Sequence, residues 1–187
     1  MPRQFMGGCT LLMLLGTASA ASADHQIQIG LAKTLSYAYP AKAYSRTEQA
    51  QHFGWGAHLK YAFNQHFSIA AVAYKLDGDH DVQGWGNELH ASAGFNLNQQ
   101  GFQFFTGPSW FRENRKDSSA LHDQNEEFSG FGWHLGTAYT YKSWSLGLTT
   151  TVRQNSDYID YYEEKYSVQK SDSVWAASAI TSLSYVF

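Results

Sequence analysis

The chain has 187 residues and one cysteine, with 13 Lys and Arg against 16 Asp and Glu, so its formal net charge is −3. This acidic balance argues against a nucleic acid partner, because phosphate binding needs clustered Lys and Arg. After residue 23, no apolar stretch approaches the roughly 20 residues of a spanning helix, which excludes a helical membrane protein. A membrane β-barrel is not excluded, since barrel strands mix lipid-facing residues with inward-facing ones.

Residues 1–23 have the pattern of a secretory signal peptide. An apolar run covers residues 9–15, and small residues follow it up to two A-x-A cleavage sequences, the second of which ends at Ala23. We therefore expect export, with residues 24–187 as one mature domain. Cys9 would leave with the signal, so the mature domain would hold no thiol, disulfide or thiolate metal ligand.

The mature chain is dominated by alternation of apolar and small or polar residues, which is the period of a β-strand. Eight segments carry this alternation: 25–37, 53–63, 67–76, 89–97, 102–112, 128–141, 144–153 and 173–187. The third segment is the least clear, because its apolar residues fall on both faces. Pro108 in the fifth segment cannot donate a ladder hydrogen bond, so it predicts a bulge or a local end of pairing.

The connections between these segments alternate in length. Three are short, at 64–66, 98–101 and 142–143, and four are long, at 38–52, 77–88, 113–127 and 154–172. In an up-and-down meander all the short turns lie at one end and all the long loops at the other, as in outer-membrane barrels. The fold class we predict is all-β, an eight-stranded antiparallel up-and-down transmembrane β-barrel of the outer-membrane type.

Side-chain character distinguishes the two faces of this barrel. In the second segment Gly54 and Gly56 alternate with Trp55 and Leu59, and only small residues suit the narrow interior of eight strands. A soluble barrel would instead carry charge on its outer face. Aromatic residues also concentrate toward both ends of the segments with aliphatic residues between them, as in the two aromatic girdles of a membrane barrel.

Five polar residues fall on the predicted inner face: His58, Lys60, His90, His134 and Arg153. A metal site would need three or four converging ligands, and carboxylates are scarce within the segments. We therefore interpret these residues as a hydrogen-bonded filling of the lumen, and we expect neither a metal nor a cofactor.

The sequence His90-Ala91-Ser92 offers a catalytic alternative. It resembles the His-x-Ser arrangement of the lipid A 3-O-deacylases, which are also outer-membrane barrels and in which the His activates the Ser for acyl transfer. That chemistry implies a third group that orients the His and a pair that faces the membrane. The predicted register directs His90 and Ser92 inward, and Ala93 stands where that family has asparagine, so a non-catalytic protein is the primary prediction.

The order of features along the chain resembles the Ail/OmpX/Lom family of small outer-membrane barrels. The resemblance rests on "FGWGAHLKYAFNQHFSIAAVAY", "LHASAGFNLNQQGFQFFTGPSW", "FSGFGWHLGTAYTY" and the closing "SLSYVF". It implies a monomeric barrel in the outer membrane of a Gram-negative bacterium, with roles in adhesion, invasion, or serum and envelope resistance. Leu183, Tyr185 and Phe187 resemble the C-terminal signal recognised by the barrel assembly machinery.

The partners implied are outer-membrane lipid, lipopolysaccharide, and host or surface ligands bound through the loops. The segment "DYIDYYEEKY" supplies four candidates for such binding, Tyr158, Tyr161, Tyr162 and Tyr166, because tyrosine gives large contact area at low entropy cost. The alternative is a strand extension with cross-packed tyrosines. Three of the four long connections are net acidic, so basic loops for polyanions such as heparin are not evident.

Overall fold

The computed structural model describes residues 25–40, 50–78, 82–117, 124–154, 159–160 and 174–187. Within them, eight antiparallel strands form one closed barrel in which each strand pairs with its neighbours in the chain and the first pairs with the last. The strands are β1 (Gln26–Pro40), β2 (Ala50–Ala62), β3 (Phe67–Gly78), β4 (Val82–Phe95), β5 (Gly101–Asp117), β6 (Gln124–Tyr141), β7 (Trp144–Arg153) and β8 (Val174–Val186). The predicted fold class is confirmed. The described residues contain no helix long and apolar enough to cross a membrane.

The alternation of each strand sets the two faces of the barrel, because successive side chains of a strand point to opposite sides. In β2, Phe53 and Trp55 are exposed on the outside, whereas Gly54 is buried. In β3, the segment with the ambiguous pattern, Val72 and Tyr74 point inward. They form an apolar lumen cluster whose members are Ala32, Val72, Tyr74, Leu76 and Ile180.

The outer surface is rich in exposed aromatic side chains, and most of them lie toward one strand end or the other. Toward the long connections lie Phe53, Trp55 and Trp85, and toward the short turns lie Phe63, Phe67, Phe95, Phe102, Phe104, Tyr139, Tyr141, Trp144, Tyr185 and Phe187. Aliphatic residues such as Leu89 and Leu148 lie between the two groups, and Trp110, Phe131 and Trp133 are close to the middles of β5 and β6. Two aromatic groups around an aliphatic band match a barrel that crosses a bilayer.

Two of the predicted long connections are mostly strand. The connections 77–88 and 113–127 are shortened by β4, which starts at Val82, and by β5 and β6, which extend to Asp117 and from Gln124. Backbone pairing continues beyond the apolar region because ladder hydrogen bonds do not depend on the polarity of side chains. A membrane strand needs about 9–11 residues, so the 17 residues of β5 and the 18 of β6 exceed that length.

Pro108 interrupts one ladder without shifting its register. Pairing between β4 and β5 runs to His90↔Ser109 and resumes at Ala93↔Thr106, so no extra residue is inserted. On its other side Pro108 stays opposite Trp133 of β6. The predicted bulge is therefore wrong, and pairing is interrupted at Pro108 rather than ended there, because a missing donor removes a bond but does not change the residue count.

Candidate functional site in the barrel lumen

The five polar residues predicted for the lumen all lie on its inner side. Lys60, His90, His134 and Arg153 are buried, and the half-buried His58 has its Nδ1 atom 2.9 Å from Ser184 Oγ. They do not form one cluster. Arg153 and His90 both contact Glu88 in the half of the lumen near the long connections, whereas Lys60 lies in the half near the short turns.

Two carboxylates complete the first group, and the expectation that carboxylates are scarce inside the strands was wrong. Glu88 is 1% exposed and Glu113 is 0% exposed. Each lies one residue beyond a predicted segment, so both were assigned to loops. Their positions continue the inward alternation, since Glu88 precedes His90 by two residues and Glu113 follows the buried Phe111 by two. Extending the two-residue alternation of each strand by one residue into the polar connection would have placed both glutamates on the inner face.

Glu88, Glu113, Arg115 and Arg153 form what we call the lumenal ion cluster. Arg153 Nη1 donates to Glu113 Oε1 at 2.6 Å, and Arg153 Nη2 donates to Glu88 Oε1. Arg115 Nη2 donates to Glu113 Oε2 at 2.7 Å. Arg153 thus bridges both carboxylates, and the two guanidinium charges match the two carboxylate charges. Charge-assisted bonds of this kind are stronger than neutral ones.

Hydroxyl groups satisfy further oxygens of the same cluster. Tyr74 Oη donates to Glu113 Oε1 at 2.8 Å, and Ser36 Oγ donates to Glu113 Oε2 at 3.2 Å. Thr151 Oγ1 donates to Glu88 Oε2 at 3.1 Å. These groups come from β1, β3, β4, β5 and β7, so the lumenal ion cluster ties together strands on different sides of the barrel.

Apolar side chains pack against this cluster inside the lumen. The guanidinium of Arg153 lies 4.6 Å from the ring centre of Phe111, and that of Arg115 lies 4.7 Å from the ring centre of Phe128. The apolar layer consists of Ala38, Phe111, Phe128 and Ala176, with Ile159 packed against it. Its exclusion of water strengthens the ion pairs beside it.

The two residues of the alternative catalytic pair, His90 and Ser92, are not hydrogen-bonded to each other. His90 Nε2 lies 2.9 Å from Glu88 Oε2, while Ser92 Oγ lies 2.9 Å from His134 Nε2. The rings of His90 and His134 stack with centres 4.7 Å apart. A carboxylate is thus in place to orient His90, but the histidine that Glu88 contacts is not the one that contacts Ser92.

These groups face the lumen, where no lipid chain lies. His90 and Ser92 are both buried there. Among the described residues, no group of three or more His, Cys, Asp or Glu is arranged to hold a metal ion. The geometry supports a network that fixes the strands relative to one another.

The half of the lumen near the short turns is held by hydrogen bonds among one lysine and uncharged amide and hydroxyl groups. Lys60 Nζ donates to Gln103 Oε1 at 2.7 Å, and Gln103 Nε2 donates to Thr140 Oγ1 at 3.0 Å. Thr140 Oγ1 in turn donates to Ser145 Oγ at 3.0 Å. A cavity of about 20 Å³ lies beside this chain of bonds.

Two lysines on the outer surface flank the aromatic residues near the long connections. Cross-strand pairing places Lys33 beside Trp55, Trp55 beside Lys75, and Lys75 beside Trp85. Lys33 Nζ lies 5.5 Å from the centre of the Trp55 ring, and Lys75 Nζ lies 3.4 Å from Asp77 Oδ1. We call these four residues, Lys33, Trp55, Lys75 and Trp85, the outer row.

The predicted C-terminal signal residues lie at the barrel closure. Leu183, Tyr185 and Phe187 are exposed on the outer face, and the Phe187 backbone amide donates to the Ile27 carbonyl at 2.9 Å. The role of these residues in assembly stays a prediction. The four loop candidates, Tyr158, Tyr161, Tyr162 and Tyr166, lie outside the described residues.

No family model matches the sequence, and no curated protein sequence matches it significantly. Solved structures do match. The N-terminal β-barrel domain of OprF from Pseudomonas aeruginosa has a TM-score of 0.55 at 10% identity, covering 87% of this chain and 97% of that one. Ail, the attachment invasion locus protein of Yersinia pestis, solved with the heparin analogue sucrose octasulfate, has a TM-score of 0.54 at 11% identity, covering 88% and 99%.

Neisserial surface protein A has a TM-score of 0.55 at 13% identity, covering 89% of this chain and 97% of that one. At such identities the likeness concerns the fold alone. The resemblance found in the sequence is confirmed at that level. This chain has the fold of the small eight-stranded outer-membrane β-barrels.

Proposed function

We propose that this protein is a non-catalytic outer-membrane barrel that acts at the surface of a Gram-negative cell, in surface interaction or adhesion, or in envelope and serum resistance. The observation that carries the proposal is the length of the β5–β6 hairpin. Its strands have 17 and 18 residues, whereas a membrane crossing uses about 9–11. The excess lies at the end with the long connections, which is the extracellular end in barrels of this kind.

The outward side chains of this projecting hairpin have polar character suited to water and to a partner. Arg112 Nε lies 2.8 Å from Glu127 Oε1, with 45% and 48% of the two side chains exposed. Lys116, on the same strand as Arg112, is also exposed. Charges of both signs favour a protein partner over a polyanion, because a polyanion site needs clustered unpaired cations. The heparin analogue bound by Ail therefore gives no model for the ligand of this chain.

A second element of the proposal concerns the lipid around the barrel. The outer row places two cations beside two tryptophans on the lipid-facing surface near the extracellular end. Tryptophan prefers the interface between lipid and water, and an ammonium at that depth can pair with the phosphates of lipopolysaccharide. We propose that the outer row holds the barrel at a fixed depth in the outer leaflet.

The test of the surface role compares cells that lack the protein with cells that produce it. The measurements are adhesion to host cells, survival in serum and entry of a detergent. In one variant Arg112, Lys116 and Glu127 are all replaced by Ser, and in a control variant Lys142 at the opposite end is replaced by Ser. We expect the triple variant to fold as the wild type does and to lose the surface phenotype, while the control retains it. Equal behaviour of producing and non-producing cells in all three assays would overturn the proposal.

The connection 154–172 provides an independent variant. Ile159 packs on the apolar layer at the barrel mouth, so this connection reaches the extracellular end of the lumen. We propose that its four tyrosines contact the partner. Deleting residues 158–165 should leave a folded barrel that no longer binds a partner identified in the first test, and retained binding would contradict this assignment.

The absence of catalysis is tested through the lipid. A lipid A 3-O-deacylase would release one acyl chain, so lipid A from producing and non-producing cells is compared by mass spectrometry. We expect identical spectra, because Ser92 and its partner His134 are buried in the lumen. A lost acyl chain that returns in Ser92→Ala would establish the enzyme instead.

A further inference from the structure

Lys60 is a buried cation whose described contacts include no carboxylate. It is 5% exposed. Its Nζ atom donates to the neutral amide oxygen of Gln103 at 2.7 Å and lies 5.3 Å from the centre of the Phe105 ring. Buried charges in proteins are almost always paired with an opposite charge, because removing an ion from water is costly. A neutral oxygen and an aromatic ring supply only part of that compensation.

The carboxylates of the lumen are engaged elsewhere. Glu88 and Glu113 are bridged by Arg153, and Glu88 also contacts His90 at 2.9 Å. Their charges are therefore matched within the lumenal ion cluster. Lys60 is left as a positive charge in the other half of the lumen.

A cavity adjoins this lysine and is lined by groups that can donate hydrogen bonds. Lys60 lines it together with His58, Ser68, His90 and Ser92. Ser68 is 3% exposed, and its Oγ atom has no hydrogen-bond partner. A hydroxyl left unsatisfied inside a protein costs free energy, and an acceptor in the cavity would remove that cost. The cavity thus combines an uncompensated cation with an unused donor.

We propose that this cavity binds one small monovalent anion, such as chloride, as the counter-charge of Lys60. The volume of about 20 Å³ is room for one water molecule or an ion of similar size. The anion accepts from the Lys60 ammonium and from Ser68, and it neutralises the half of the lumen that lacks carboxylates.

The test uses the full mature protein folded in detergent micelles. The urea midpoint of unfolding is followed while sodium chloride replaces sodium gluconate at constant ionic strength, because gluconate is too large for the cavity. We expect the midpoint to rise with chloride concentration in the wild type. In Lys60→Met, which keeps the length of the side chain but removes the charge, the midpoint should not depend on chloride. The control Lys33→Met removes a lysine from the outer surface and should keep the full dependence.

If Lys60→Met does not fold, a second variant and a direct observation of the anion test the proposal instead. Ser68→Ala should need about tenfold more chloride for the same rise, as expected for a lost hydrogen bond to an ion. Crystals grown in bromide should show an anomalous scattering peak in the cavity. The proposal is overturned by equal wild-type midpoints in chloride and gluconate, by chloride dependence that persists in Lys60→Met, or by a cavity that holds only water in bromide crystals.

Discussion

The two halves of the lumen are built from the same strands and the same alternation, yet their buried charges have different partners. Near the long connections, two carboxylates and two guanidiniums interlock beside an apolar layer. Near the short turns, one lysine is held by neutral groups beside a cavity. An eight-stranded barrel must fill its interior with side chains, but the fold does not dictate whether their charges are compensated.

This difference has an energetic consequence. A cluster of paired buried charges adds little to the free energy of unfolding compared with an apolar core of similar volume. The removal of one member, however, leaves a buried charge without its partner. In the other half, the loss of a hydrogen bond between uncharged groups lowers the free energy of unfolding by only about 0.5–1.5 kcal/mol. The half with the lumenal ion cluster should therefore be the more sensitive half to substitution.

The largest effect is expected for Arg153→Met. Glu88 and Glu113 would both lose the guanidinium that bridges them, and the free energy of unfolding should fall by about 3–5 kcal/mol. Urea unfolding in detergent micelles measures this loss. The double variant Glu88→Gln with Arg153→Met should lose less than the sum of the two single variants, because it removes one of the stranded charges. Strict additivity would mean that the two residues are not coupled.

The next effect is expected for Gly86→Ala, which tests the packing around the same cluster. A Cβ atom at residue 86 would lie 2.6 Å from Cζ and 2.8 Å from Oη of Tyr74. The ring would have to shift away from Glu113, at a cost of about 1–3 kcal/mol. Gly130→Ala is the matched control, since its Cβ would find its nearest neighbours at 3.5 Å. Equal unfolding midpoints for the two variants would show that the Tyr74 ring is free to move.

A smaller effect is expected in the other half, for Thr140→Val. This substitution keeps the shape of the side chain and removes the hydroxyl between Gln103 and Ser145. The expected loss is about 1 kcal/mol. Thr150→Val, at an exposed outward position of β7, is the control and should leave the midpoint unchanged. A loss as large as that of Arg153→Met would remove the contrast between the two halves.

The smallest effect is expected outside the lumen, for Arg112→Ala. Its ion pair with Glu127 is exposed to water, so the free energy of unfolding should change by less than about 1 kcal/mol. High salt should weaken this pair further and leave the lumenal ion cluster nearly unaffected, because buried pairs are screened much less. The urea midpoints of the wild type, Arg112→Ala and Arg153→Met, measured in low and high salt, compare the exposed pair with the buried cluster.

The sequence by itself determined the fold and the two faces of the barrel. Alternation and the pattern of short and long connections were sufficient, because both follow from the geometry of a strand and its turns. The same reasoning placed five polar residues on the inner face: His58, Lys60, His90, His134 and Arg153. A period of 2 assigns a side to each residue even where its partners are unknown.

The tertiary structure decided which of these side chains meet. It extended β4 and β5 far enough to bring Glu88 and Glu113 inside, beyond the point where polarity had suggested a loop. It also paired Ser92 with His134 of β6 rather than with the nearby His90. Contacts across a closed barrel depend on strand tilt and stagger, and these quantities are absent from the alternation of any single strand.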